Sequence, residues 1–115
     1  MKILAPLNLR IGCINAALGI VMGAAGGHKK EWSQERKDIF HKALFYQFMN
    51  SVGMILSSIS SYPQIPLALF LSGTILFSGS LYHRAFTDKQ DYSKKYPPFG
   101  GTAMIIGWIY LSFMI

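Results

Sequence analysis

The sequence predicts an all-α integral membrane protein, with four transmembrane helices in a compact bundle and a short amphipathic helix between the first two. Three segments of the 115-residue chain, 11–28, 43–83 and 96–115, contain no Asp, Glu, Lys or Arg. A helix needs about 20 mostly apolar residues to cross a bilayer, so these segments hold about four spans. Hydrophobic residues make up 51% of the chain and charged residues only 14%. This composition excludes a disordered chain and argues against a soluble bundle, whose helices would each carry a charged face.

The first apolar segment resembles a secretory signal peptide because it follows Lys2 and ends in small residues. Arg10 interrupts it, however, and the apolar run is longer than the apolar region of a usual signal peptide. We therefore interpret it as the first transmembrane helix, for which an uncleaved signal role stays open.

A candidate cap and several prolines set the boundaries of the later helices. Ser33 is suited to cap a short interfacial helix over residues 34–41. Pro63 and Pro66 interrupt the long uncharged segment, since proline lacks a backbone donor and disfavours helix before it. Pro66 suits the first turn of the third helix, and Pro98 starts the fourth. We expect one membrane domain, 1–115, with spans at about 7–26, 42–60, 66–86 and 98–115.

The basic residues predict the orientation of these spans. Nine of the eleven Lys and Arg residues lie in segments 29–42 and 84–95, and the other two are Lys2 and Arg10. Because positive loops stay inside, both basic loops should face the cytoplasm, or the matrix of a mitochondrion. The loops could also contact anionic lipid headgroups. Nucleic-acid binding is not expected, because it needs the bases on one face of a soluble domain.

Small residues repeat at helical spacing and predict where the helices pack. In the first helix the steps between them are four, three, four and three residues, which keeps them on one face. Small residues allow the close backbone approach by which helices associate in lipid. The expected faces are Gly12, Ala16, Gly19, Gly23 and Gly26; Tyr46, Asn50, Gly53 and Ser57; Ala68, Ser72, Gly79 and His83; and Gly100, Ala103 and Gly107.

The sequence offers no constellation for catalysis or cofactor binding. The spans contain no acid, and bonds between helices account for the polar residues Asn15 and Gln47. The histidines, His28, His41 and His83, are 13 and 42 residues apart, a spacing that matches no zinc or haem site. We expect neither enzyme activity, nor a cofactor, nor a metal ion.

Four short blocks resemble those of the transmembrane protein 256 family, also known as domain of unknown function 423. They are residues 23–28, Tyr46-Gln47, residues 77–82, and residues 98–101 followed by Gly107-Trp108, and the likeness extends over about residues 8–115. The resemblance implies a small multi-pass protein of bacterial inner membranes or of mitochondria. Members tend to have a histidine three residues after the Tyr-Gln pair, where this chain has Asn50. Packing and the family blocks together single out Gly19, Gly23, Gly27, His28, Tyr46, Gln47, Asn50, Ser78, Gly79, Ser80, Tyr82, Pro98, Gly100, Gly101, Gly107 and Trp108.

Two functions remain open from the sequence. The absence of acids in the spans and the small-residue faces favour a non-catalytic structural or accessory subunit of a larger inner-membrane assembly, such as a respiratory complex. Its partners would be the lipid bilayer and other membrane subunits. The alternative is a small transporter, channel or lipid-binding protein that acts alone. We expect the mitochondrial inner membrane as the location, with the bacterial inner membrane as the alternative.

Overall fold

Four long helices make up the described part of the protein. The computed structural model describes residues 6–87 and 96–115, and no strand occurs in these ranges. A segment of the third helix, Thr74–Gly79, is π-helical, so its backbone hydrogen bonds span five residues instead of four. The predicted all-α class is confirmed. The helices are α1 (Pro6–Gly27), α2 (Gln34–Ser57), α3 (Gln64–Thr87) and α4 (Tyr96–Met114).

The prediction of a separate amphipathic helix before the second span is wrong. Residues 34–41 form the first turns of α2, which continues without interruption to Ser57. The segment contains no proline, and its first glycine is Gly53, so nothing breaks the helix where the charged residues give way to apolar ones. The predicted cap is present, since the Ser33 hydroxyl accepts a hydrogen bond from the Arg36 backbone N–H at 3.2 Å.

The helices alternate in direction, with α2 packed between α1 and α3 and with α4 packed against α3. At one end, the Asn8 side chain donates to the Pro63 carbonyl (3.0 Å) and the Ser61 N–H donates to the Met114 carbonyl (3.0 Å). These bonds join the start of α1, the turn before α3 and the end of α4. Tyr62 makes this turn sharp by adopting left-handed backbone geometry, with φ of 49°.

The small-residue face of α1 lies against α2, where Gly12, Gly19 and Gly26 are buried. A Cβ atom at Gly12 would lie 2.7 Å from Ile55 Cγ1 and 3.0 Å from the Ser51 carbonyl oxygen. The two backbones therefore come closer than any larger residue would allow. This close approach gives dispersion contacts that lipid cannot replace.

The packing face predicted for the third helix is wrong. Its four residues, Ala68, Ser72, Gly79 and His83, are all exposed. The opposite face is buried, and Phe70 on that face packs edge-on against Trp108 with ring centroids 5.2 Å apart. On this helix a large side chain makes the close contact, because Phe70 packs against Gly53 of α2 and Gly107 of α4, and the predicted small residues of α3 are left on the outer face.

Among the described residues, buried apolar side chains form two clusters, which lie towards opposite ends of the fold. Met54, Leu67, Phe70 and Leu111 form one of them. The other consists of Trp32, Phe40 and Ala85. In it, the ring of Trp32 meets Phe40 and Phe86 edge-on, at centroid distances of 5.7 and 5.1 Å. On α2 the buried polar residues Gln47 and Asn50 lie between these clusters.

Within residues 6–87 and 96–115, two helices are long and apolar enough to cross a membrane, Leu7–Gly27 and Gln64–Thr87. In the most apolar 18-residue stretch of each helix, only 22% and 33% of the residues are buried. Large apolar side chains of α1, such as Ile14 and Ile20, are 60% and 67% exposed. Most of the apolar surface therefore faces outward, unlike that of a core helix in a soluble protein.

We predict that Gly100→Ala lowers the free energy of unfolding by about 1–3 kcal/mol, the usual effect of overpacking. The added Cβ atom would lie 2.6 Å from the backbone nitrogen of Phe77, which cannot move aside as a side chain can. Gly101→Ala is the matched control, because its Cβ atom would have its nearest neighbour, Phe77, 4.0 Å away. Alanine favours a helix by about 1 kcal/mol over glycine, so the control should be unchanged or slightly more stable. Thermal unfolding in mild detergent measures both, and equal melting temperatures would contradict the close approach.

Candidate functional site

The side chain of Gln47 joins three helices through a buried polar network. Its Nε2 donates to the backbone carbonyl and to Oδ1 of Asn15 on α1, at 3.0 and 3.2 Å. Its Oε1 accepts a hydrogen bond of 2.6 Å from the Tyr82 hydroxyl on α3. Asn15 Nδ2 in turn donates to Ser51 Oγ at 2.7 Å and to the Gln47 carbonyl at 3.1 Å. Both polar atoms of the Gln47 side chain are therefore paired.

Further hydrogen bonds follow α2 towards both of its ends. Asn8 Nδ2 donates to Ser57 Oγ, and Ser78 Oγ, in the π segment of α3, donates to the Ala43 carbonyl at 2.8 Å. Burying a polar group in apolar surroundings is costly unless it is hydrogen-bonded. These bonds consequently fix the register of α1 and α3 on α2.

Asn50 is fully buried and only partly paired. Its Nδ2 donates to Thr74 Oγ1 at 3.0 Å, and the Thr74 hydroxyl donates its own proton to the Phe70 carbonyl at 2.9 Å. Asn50 Oδ1 has no hydrogen-bond partner within residues 6–87 and 96–115. Buried acceptors without a hydrogen-bond donor are uncommon in native proteins, so Oδ1 differs from the paired polar atoms around it.

Two grooves run beside this network. One, of about 400 Å³, lies between α1 and α3, with Leu18 and Ile75 on its walls and Gln47 and Tyr82 in its lining. The other, of about 410 Å³, lies between α2 and α4 and includes Asn50 in its lining. The polar groups of the fold therefore border both grooves.

Arg36 links the start of α2 to the end of α3. Arg36 Nε and Nη2 both donate to the Ala85 carbonyl, at 2.9 and 2.7 Å, and the guanidinium carbon lies 4.8 Å from the centre of the Trp32 ring. The last carbonyls of a helix lack partners within it and attract positive charge. Arg36 therefore caps the end of α3, and an ion pair of 3.1 Å between Arg84 and Glu35 lies beside it.

The structure brings some of the predicted site residues together and leaves others apart. Gln47 meets Tyr82 directly, while Gly27, His28, Gly79 and Pro98 are exposed. Gly19, Ser78, Ser80, Gly100 and Gly107 are buried at helix contacts, and Gly23, Tyr46, Gly101 and Trp108 are half-buried. All three histidines are exposed.

Sequence reasoning missed three partners, Ser51, Thr74 and Arg36. Ser51 follows Gln47 by one helical turn, a spacing that places both residues on the same face and could have identified it. Thr74 and Arg36 gave no such signal, because each forms its hydrogen bond with a residue far away in the sequence.

Residues 22–101 match the family described as protein of unknown function DUF423. The chain belongs to the DUF423 family. The resemblance predicted from the four sequence blocks is thus confirmed. No solved structure matches the chain.

Relatives of this DUF423 protein are named as membrane proteins. The UPF0382 membrane protein SERP0230 of Staphylococcus epidermidis is 33% identical over 108 residues, 88% of each chain. The UPF0382 membrane protein YwdK of Bacillus subtilis is 33% identical, over 86% of this chain and 87% of its own. A UPF0382 membrane protein of Haemophilus influenzae is 29% identical, over 82% and 81%. The protein is therefore a membrane protein, and these bacterial sources fit the bacterial alternative and give no support to a mitochondrial location.

We predict that Gln47→Leu and Tyr82→Phe each lower the free energy of unfolding by about 1–3 kcal/mol, because each leaves a buried polar partner unpaired. The double variant should lose less than the sum of the two, by about 0.6 and at most about 1.7 kcal/mol, as for other bonds between membrane helices. Equilibrium unfolding in detergent measures the cycle. Thr102→Ala, which removes an exposed hydroxyl bonded within its own helix, is the control. Additive losses would contradict the hydrogen bond.

Proposed function

We propose that this DUF423 protein is a non-catalytic, four-span structural or accessory subunit of a larger assembly in the bacterial inner membrane. The pairing of Gln47 carries the proposal, because the polar groups at the centre of the fold serve to hold its own helices together. Ion and proton pathways through membranes usually contain an ionisable residue. The three uncharged segments, 11–28, 43–83 and 96–115, contain no acid.

The proposal includes α2 and α4 as spans beside α1 and α3, the helices that are long and apolar enough to cross a membrane. Hydrogen bonds connect α2 to its neighbours near both of its ends, through Asn8–Ser57 and through Arg36–Ala85. If α1 and α3 cross the bilayer, α2 must therefore lie at the same depth. Its 24 residues extend about 36 Å and the 19 residues of α4 about 28 Å, close to the hydrocarbon thickness.

The outer surface of the fold is suited to a neighbouring subunit. The Cα atoms extend over 46 × 28 × 17 Å, so the fold is thin in one direction and much of each helix faces outward. On α4, Ile105, Ile109 and Phe113 are 61%, 53% and 80% exposed. This apolar surface must be covered by lipid or by protein.

The topology can be tested with single cysteines at Lys30 and at Ile115. In a Cys13→Ser background, which removes the exposed native thiol, a membrane-impermeant maleimide should label Lys30→Cys only from the cytoplasmic side. Ile115→Cys should react only from the periplasmic side, because four spans place it at the end opposite the basic residues. Reaction of both cysteines from the same side would rule out four spans.

The role as a subunit predicts that the tagged protein, taken from its own membranes in mild detergent, migrates in a native gel well above a small homo-oligomer. Mass spectrometry of the band should identify further membrane polypeptides that are missing from the same preparation of untagged cells. The purified protein in liposomes should not carry ions or solutes. Migration as a monomer or small homo-oligomer, together with solute transport, would replace this role with that of a transporter.

A further inference from the structure

The groove between α2 and α4 has the size and lining of a small-molecule site. Its volume of about 410 Å³ lies in the range of ligand pockets, about 300–1,000 Å³. Its lining on α4 extends from Gly101 to Ile109, about 12 Å along the helix. Apolar and aromatic side chains with few polar groups are typical of such sites. The remaining lining residues include Tyr46, Met49, Asn50, Phe77, Met104 and Trp108.

Asn50 gives this groove a specific chemical requirement. The one proton of the Thr74 hydroxyl is donated to the Phe70 carbonyl, so Thr74 can only accept a hydrogen bond from Asn50. The Asn50 amide is thereby oriented with Nδ2 towards Thr74, which leaves Oδ1 as the unpaired acceptor. Oδ1 is closed to water, so a ligand in the groove can bring a hydrogen-bond donor to it only when a flexible lining side chain, such as Met49 or Met104, moves aside.

We propose that the α2–α4 groove binds a neutral long-chain alcohol, whose hydroxyl donates to Asn50 Oδ1 while its apolar chain lies against Met104 and Trp108. The ligand is neutral because none of the described residues that line the groove is charged. It bears a hydroxyl because a purely apolar chain, or a group with acceptors alone, would leave Oδ1 unpaired. The chain can be acyl or isoprenoid, since both supply the same hydroxyl chemistry.

A transmembrane helix of another subunit suits the groove less well. The backbone N–H groups of a membrane helix are already bonded within that helix. Only a polar side chain of such a helix could reach Oδ1, whereas the alcohol supplies both the apolar chain and the hydrogen-bond donor that the groove requires. This proposal stands independently of the role as a subunit.

The test uses the fluorescence of Trp108 in the purified full-length protein, in phosphatidylcholine nanodiscs and with Trp32→Phe to remove the second indole. The probes are 1-dodecanol and farnesol, each compared with its methyl ether, which keeps the chain and loses the donor. At least one alcohol should bind about tenfold more tightly than its ether, the effect of one hydrogen bond. The better alcohol identifies the chain as acyl or isoprenoid. Equal affinity of alcohol and ether in both pairs, or no binding of either alcohol, would overturn the proposal.

Two variants test separately the hydrogen bond to Asn50 and the space inside the groove. Asn50→Leu removes the acceptor, while Thr74 keeps its bond to Phe70, so alcohol and ether should bind this variant equally. Gly101→Leu should weaken both by at least tenfold, because a side chain there grows into the open groove, with its Cβ atom 4.0 Å from Phe77. Ala17→Leu, on an exposed position of α1, adds similar bulk away from the groove and should bind like the native protein.

Gly101→Leu keeps the test decisive if Asn50→Leu does not fold. Unchanged binding of the alcohol to Gly101→Leu would overturn the assignment of the groove. A photoreactive residue at Ile105 gives the independent measurement in native membranes, where it should couple to an added photo-stable, radiolabelled dodecanol or farnesol. Coupling to a polypeptide instead would show that a protein helix occupies the groove.

Discussion

The buried polar side chains of α2 are shielded from water, so their hydrogen-bond partners on α1 and α3 determine how the three helices meet. Dispersion between apolar surfaces changes little when one helix slides or turns against another. The hydrogen bond that Gln47 donates to Asn15 and the one that it accepts from Tyr82, in contrast, are satisfied at one register only. The arrangement of the fold therefore depends on a few directional contacts in an otherwise non-directional environment.

Close approach of the backbones makes these contacts possible. The Asn15 side chain is short, and it reaches the Gln47 carbonyl and Ser51 Oγ only because Gly12 and Gly19 allow α1 to lie directly on α2. Gly100 has the same effect between α4 and α3. At the start of α2, the Arg36 guanidinium links this helix to α3 because it can donate two hydrogen bonds to the Ala85 carbonyl.

The sequence was sufficient for features that depend on neighbouring residues. The helical class, the Ser33 cap and the packing face of α1 follow from local spacing, and the structure has all three. The face of α3 was predicted wrongly, because Phe70 packs against glycines of the neighbouring helices, Gly53 and Gly107, and the small residues within α3 do not indicate that contact. The pairs Asn50–Thr74 and Arg36–Ala85 join residues 24 and 49 positions apart, and one sequence contains no information on such pairings.

The π segment also divides α3 into two parts that differ in rotational phase. Each residue of an α-helix turns the chain by about 100°, so one additional residue in a turn rotates everything beyond it by about that angle. Phe70 lies before this phase shift, and Tyr82 lies after it. A single helical wheel drawn for the whole of Gln64–Thr87 consequently misplaces one half of the helix. Deleting one residue within 74–79 would restore a regular helix and at the same time turn Tyr82 away from Gln47.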